Sequence, residues 1–209
     1  EFELDVLSPS GDLLLDLVEG GIHYKCAFDL TSGRAVLSID GGKRHFTDAT
    51  RRERKQLTAT TAIKGEGRHR IRFANVDDQL LLWVDDRIVS FDGPTTFEAP
   101  RHLVPRWSPE EPGDLSAVRI GSRASQLQIK RLRVLRDVYY RAVEAIDAHD
   151  KSEYDRQRLG YGVDIASVMA NPHDWETTPL FAARRSVSFH LGPDQFFPMG
   201  DNSPESKDA

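Results

Sequence analysis

Residues 67–91 read GRHRIRFANVDDQLLLWVDDRIVSF, and this stretch decides the fold. In His69-Arg70-Ile71-Arg72-Phe73 every second residue is apolar or neutral, the period of a strand with one buried face. Leu80-Leu81-Leu82-Trp83-Val84 answers it across an Asn75-Val76-Asp77-Asp78 turn, so the two runs predict a hairpin. Trp83, alternating with the leucines, is expected in the core.

The same grammar extends outward. Strands are predicted near Glu3 to Leu7, Leu13 to Val18, Ile22 to Asp29, Arg34 to Ile39 and Leu57 to Ile63. His69 to Asn75, Gln79 to Val84 and Arg87 to Phe91 follow, then Ser116 to Ile120 and Leu127 to Leu135. Tight turns at Ser10-Gly11, Gly20-Gly21, Ser32-Gly33 and Asp85-Asp86 force antiparallel pairing, because a two-residue connection cannot make a parallel crossover. The expected fold is therefore mainly β, an antiparallel two-sheet β-sandwich over residues 1–140 with a short mixed C-terminal segment. Beyond it, residues 141–182 read as a helical or irregular connector. Residues 183–209 resume with strands at Arg185 to Leu191 and Gln195 to Met199.

Composition narrows the function classes. A net charge of −5 with a single short basic run from Arg51 to Lys55 argues against a nucleic-acid partner, which needs a clustered basic face. The lone Cys26 excludes an intramolecular disulfide and any cysteine metal site, and its alternating neighbours place it in the core. No apolar run exceeds strand length, so a targeting or anchoring segment is expected upstream of Glu1 if the protein is exported. No cofactor is expected.

The Gly67–Phe91 hairpin resembles that of the laminin-G and concanavalin A-like lectin or glucanase sandwiches. There, a Trp/His-x-Ile-Arg-Phe type strand, a turn and a Leu-x-Leu-Trp-Val-Asp-Gly type strand lead into a further strand. The segments from Val118 and from Leu127 to Tyr139-Tyr140 resemble the closing strands of that jelly roll. Such folds also host glycosidases, whose chemistry requires paired carboxylates. Glu1, Glu3 and Asp5 share one strand face, but Leu7 and Ser8 stand where a third acid would fall, so they read as a solvated face at the domain edge. Asp77-Asp78 and Asp85-Asp86 have the oxygen ligands for Ca²⁺, yet each pair sits where a hairpin needs turn formers. His173-Asp174-Trp175 lacks a second ligand nearby and reads as polar surface. If the sandwich is a lectin, Trp107, flanked by Pro105 and Pro109, is the candidate sugar-stacking residue.

The C-terminal stretch from Leu191 reads LGPDQFFPMGDNSPESKDA. An isolated Gly-Asp-Asn is an ordinary turn triplet. Here Phe196-Phe197-Pro198-Met199 runs into Gly200-Asp201-Asn202, with Ser206 and Asp208 following, and this ordered pattern resembles the end of the catalytic β-domain of bacterial signal peptidase I. The resemblance implies a serine–lysine dyad in which a lysine made neutral by burial deprotonates the serine. It assigns Ser206 to orienting that lysine, Asp208 to bracing the turn, and Gly200, Asp201 and Asn202 to building it. The chain departs from the pattern at Ser203, where Arg is common, and at Ala209, where Ser is usual. It also lacks the family's Ser-Met-x-Pro nucleophile motif, since Ser167-Val168-Met169-Ala170 has neither the spacing nor the proline, and it lacks the lysine motif.

The resemblance thus implies an extracytoplasmic fragment of a membrane-anchored serine endopeptidase that removes signal peptides from exported preproteins. No catalytic residue lies in the fragment, and both dyad residues are expected upstream. The expected location is the periplasmic side of the cell membrane. The competing reading is a non-catalytic lectin-like module that binds carbohydrate or protein.

Overall fold

The computed structural model describes residues 1–47, 52–100, 103–136, 153–160 and 162–197. Two compact units divide the chain at Leu135/Arg136. The Gly200, Asp201, Asn202, Ser206 and Asp208 assignments, Tyr139-Tyr140 and residues 141–152 of the 141–182 connector lie outside the described residues.

The first unit is built from β1 (Phe2–Ser8), β2 (Asp12–Glu19), β3 (Ile22–Asp29), β4 (Arg34–Ile39), β5 (Phe46–Thr47) and β6 (Glu53–Arg54). It continues with β7 (Gln56–Thr60), β8 (Gly67–Val76), β9 (Gln79–Val84), β10 (Arg87–Ile88), β11 (Val118–Arg123) and β12 (Gln126–Lys130). Two five-stranded antiparallel sheets result, ordered β10-β9-β8-β1-β12 and β11-β2-β3-β4-β7. Their inner faces share one core that joins Phe2, Leu4, Ile71, Leu80 and Leu82 of the first sheet to Leu13, Tyr24, Cys26, Phe28 and Leu37 of the second. This is the expected mainly β, two-sheet sandwich.

Turn chemistry fixes the registers. Gly20-Gly21, Asp77-Asp78 and Asp85-Asp86 all have positive φ at both positions, the conformation whose twist matches paired strands in two-residue hairpins. The aspartate pairs are therefore turn formers. Among the described residues no group of three or more His, Cys, Asp or Glu side chains is placed to hold a metal ion. The Asp77-Asp78 turn sets Val76 opposite Gln79 and hence Arg72 opposite Trp83. Trp83 consequently points to the outer face of its sheet, while Leu80, Leu82 and Val84 fill the core. The expectation of a core Trp83 is corrected by one step of strand parity.

A second correction concerns β1. It lies between β8 and β12, so Glu1, Glu3 and Asp5 stand over the interior of a sheet, not at a domain edge.

One long connection, from 89 to 117, carries Trp107. It is pinned by Asp114, whose carboxylate accepts the backbone N–H groups of Gly20 (2.7 Å), Gly21 (2.8 Å) and Arg106 (2.8 Å). A single acid thereby satisfies three donors at the β2–β3 turn. Trp107 is half-buried there.

The second unit contains two short helices, α1 (Arg156–Leu159) and α2 (Ile165–Ala170), capped by the Asp155 and Asp164 side chains. Tyr154, Leu159, Val168, Trp175, Leu180 and Phe181 are buried in it. Trp175 is a core residue, so the His173-Asp174-Trp175 reading as polar surface holds only for exposed His173. The strands expected at Arg185 to Leu191 and from Gln195 are not formed among the described residues. Val187, Phe189 and Leu191 alternate as a strand would, yet all three are exposed. Alternation alone cannot make a strand without a neighbouring ladder.

Candidate functional site

The outer face of the first sheet concentrates the charge of the sandwich. Glu1, Glu3 and Asp5 rise from β1 and its start, Arg68, Arg70 and Arg72 from β8, and Lys130 from β12. Register makes Glu3 the neighbour of both Arg70 and Lys130 and puts Asp5 beside Arg68. Opposite charges across strands stabilise such pairs. Arg68 Nε donates to Asp5 (2.8 Å), Lys130 Nζ to Asp5 (2.7 Å), Arg131 Nη1 to Glu3 (2.7 Å) and Arg72 Nη2 to Glu1 (3.3 Å).

The two signs sit at different depths. The Glu1, Glu3 and Asp5 side chains are 15–19% exposed, whereas the Arg68, Arg72, Lys130 and Arg131 side chains are 41–77% exposed. Around β1 these carboxylates form a lower layer with guanidinium and ammonium groups above them, whereas at the β9–β10 turn the order reverses, Asp86 being 66% exposed beside Arg70 at 48%.

At the β8–β9 end this face opens into a cleft of about 210 Å³ lined by Arg70, Arg72, Trp83 and Asp86. The Arg72 guanidinium lies over the Trp83 ring, 5.5 Å from its centroid. Arg70 Nη1 donates to the Asp86 carboxylate at 3.1 Å. Beneath, Asp85 accepts the Arg70 N–H (2.9 Å) and meets His69 Nδ1 at 2.9 Å, which ties the β9–β10 turn to β8 and fixes the cleft wall. Sequence reading missed this site because it assigned Trp83 to the core. The signal that locates it is the hairpin itself, in which an inward Ile71 turns Trp83 to the outer face.

Several of these acids titrate low. Hydrogen bonds from Lys130 and then Arg68 hold the Asp5 carboxyl below its ordinary value. Burial pushes Asp85 upward, but the His69 and Arg70 hydrogen bonds outweigh it and leave Asp85 lowered. Away from this face, Asp92 is likewise lowered by its hydrogen bonds from Arg54 and then Thr58, despite partial desolvation. A carboxyl more acidic in the folded than in the unfolded chain stabilises the fold above its unfolded pKa, and that contribution is lost as pH falls through the folded pKa. The melting temperature is therefore expected to drop steadily below about pH 4, with a shallower drop in Asp5→Asn, read by thermal melts from about pH 6 to about pH 2.5. A flat profile across that range would contradict these pairings.

No family model matches the chain, and no curated protein does. Among solved structures, sheep galectin-11 in complex with glycerol is similar, at 12% identity and a TM-score of 0.32, covering 61% of this chain and 86% of that one. The sandwich assignment stands on the strand order and registers of the chain itself. No helix among the described residues is long and apolar enough to cross a membrane.

Proposed function

We propose that the chain is a non-catalytic, extracytoplasmic part of a signal peptidase I-like serine endopeptidase, a membrane-anchored enzyme removing signal peptides from exported preproteins. In it, the sandwich is an inserted binding module. The observation that supports the insertion is the closure of the first sheet by the first and last strands, while the host is read from the ordered Phe196 to Asp208 pattern alone. β1 and β12 pair antiparallel, the Arg133 N–H donates to Glu1 O at 2.8 Å, and Glu1 N donates to Arg133 O at 3.0 Å. Both ends of the sandwich leave from one point, the geometry by which a domain enters a host chain without separating the flanking segments.

Two sequence features agree with it. The ordered Phe196 to Asp208 pattern resembles the end of the peptidase β-domain, with Ser206 orienting the lysine and Asp208 bracing the turn. Exposed, alternating Val187, Phe189 and Leu191 suit a strand whose ladder partners belong to that β-domain. The dyad itself is assigned to the host.

The test uses the whole gene product in membrane vesicles with a preprotein substrate. Replacing residues 2–132 by a short Gly-Ser linker should keep cleavage within about threefold, because the excised ends are already in contact. Absence of cleavage by the unmodified product would overturn the assignment. Loss on linker replacement, with the host still folded and inserted, would overturn the insertion.

A further inference from the structure

We infer that the cleft between Arg70, Arg72, Trp83 and Asp86 binds an acidic saccharide, a chain containing hexuronate rings. This ligand assignment rests on the sandwich being a binding module and is independent of the peptidase host. Failure of the vesicle experiment would leave the titration below unaffected.

The chemistry follows from the four side chains. Trp83 stands on the outer sheet face, half-buried, with the Arg72 guanidinium over its ring, and the indole surface that Arg72 leaves exposed is what the C–H face of a pyranose packs against. Arg70 and Arg72 flank it, with side chains 48% and 46% exposed. Each engages an acid of the chain through one terminal nitrogen, Arg70 with Asp86 and Arg72 with Glu1. A guanidinium has five N–H donors, so each retains donors in the planar fork that matches a carboxylate. Asp86, 66% exposed on its side chain, accepts from ring hydroxyls. An aromatic platform, a carboxylate fork and a hydroxyl acceptor together describe a uronate ring.

Size and surroundings agree. At about 210 Å³ the cleft is smaller than the roughly 300–1,000 Å³ of a drug-sized pocket, and suits one ring of an oligomer. The outward cationic layer of Arg68, Lys130 and Arg131 continues across the same face towards β12. Neighbouring uronates of a longer chain would meet further cations there. An acidic peptide would use the guanidinium groups but leave the indole face and Asp86 without a role. Free carboxylates or neutral sugars would each satisfy only half of the set.

The experiment titrates the 209-residue chain with trigalacturonate, read by calorimetry and tryptophan fluorescence at low and physiological salt. Galactotriose and tetraglutamate serve as comparison probes. Trigalacturonate is expected to bind at least tenfold more tightly than either, with affinity falling as salt rises. Trp83→Ala and Arg70→Gln should each weaken it at least tenfold, and Trp83→Phe should retain most of the binding, which separates lost stacking from lost folding. Arg34→Gln, an equal charge change on the other sheet, should leave it unchanged. No measurable trigalacturonate binding, or binding indifferent to Trp83→Ala and Arg70→Gln, would overturn the inference. Equal binding of galactotriose would remove the acidic ligand, and equal or tighter binding of tetraglutamate would replace the saccharide with an acidic peptide.

Discussion

Phe28→Ala is expected to destabilise the sandwich by about 3–5 kcal/mol, the cost of emptying a large aromatic site in a core that cannot collapse to fill it. Phe28 is fully buried on β3, the central strand of the second sheet, flanked by β2 and β4. Its ring faces the shared core through which the two sheets are held together. Against a total stability of about 5–15 kcal/mol for an ordinary domain, such a loss leaves a marginal fold. For a unit of this size the melting temperature should fall by roughly 12–20 °C, at about 4 °C per kcal/mol. Urea denaturation followed by far-ultraviolet circular dichroism measures it. Phe196→Ala is the internal contrast, since Phe196 is 89% exposed and its removal should change stability by less than about 0.5 kcal/mol. A Phe28→Ala chain as stable as the wild type would contradict the two-sheet core.

How much of this was legible in the sequence depends on what sets each feature. Local alternation sets strand identity, and β3, β4 and β9 coincide with the segments read from the residues alone. Strand ends fared less well. Leu127 to Leu135 was expected to be strand, but β12 stops at Lys130, where Arg131 turns to positive φ. Arg133 then bonds back to Glu1, a long-range closure that local pattern does not encode.

Face assignment is harder than strand identity. Residues 80–84 are apolar at all five positions, so alternation cannot say which are inward. The answer comes from across the hairpin: Ile71 faces inward, so Val84 opposite it does too, and Trp83 opposite Arg72 must face outward. A four-residue turn, Asn75 to Asp78, would set Ile71 opposite Leu82 and leave the same parity, so Trp83 faces outward in either register. Grouping Trp83 with the leucines, without carrying the face of Ile71 across the hairpin, is what conceals the cleft. Glu1, Glu3 and Asp5 share a face legible in the sequence, yet their cationic partners come from β8, β12 and Arg131 just beyond it, 63 to 128 residues away. Only the sheet order brings them together.

The C-terminal segment shows the opposite limit. Val187, Phe189 and Leu191 carry a strand pattern without forming a strand, because pairing needs a partner as well as a pattern. In the reading proposed above, that partner is the peptidase β-domain.

Ser206 is where that reading is most exposed. Its hydroxyl is assigned to hold the host's neutral lysine in line with the nucleophile, and misplacing a reacting group by about 1 Å costs on the order of 10²-fold in rate. Removing the hydroxyl should also raise the pH at which the lysine becomes neutral and active, since an orienting hydrogen bond to its unprotonated amine is lost. The direct measurement is the preprotein cleavage rate of the whole gene product against pH, wild type beside Ser206→Ala. A fall of about 10²-fold in kcat/KM with the rising limb shifted to higher pH, and partial recovery in Ser206→Thr, is the predicted result. An unchanged rate and profile in Ser206→Ala would contradict the peptidase assignment.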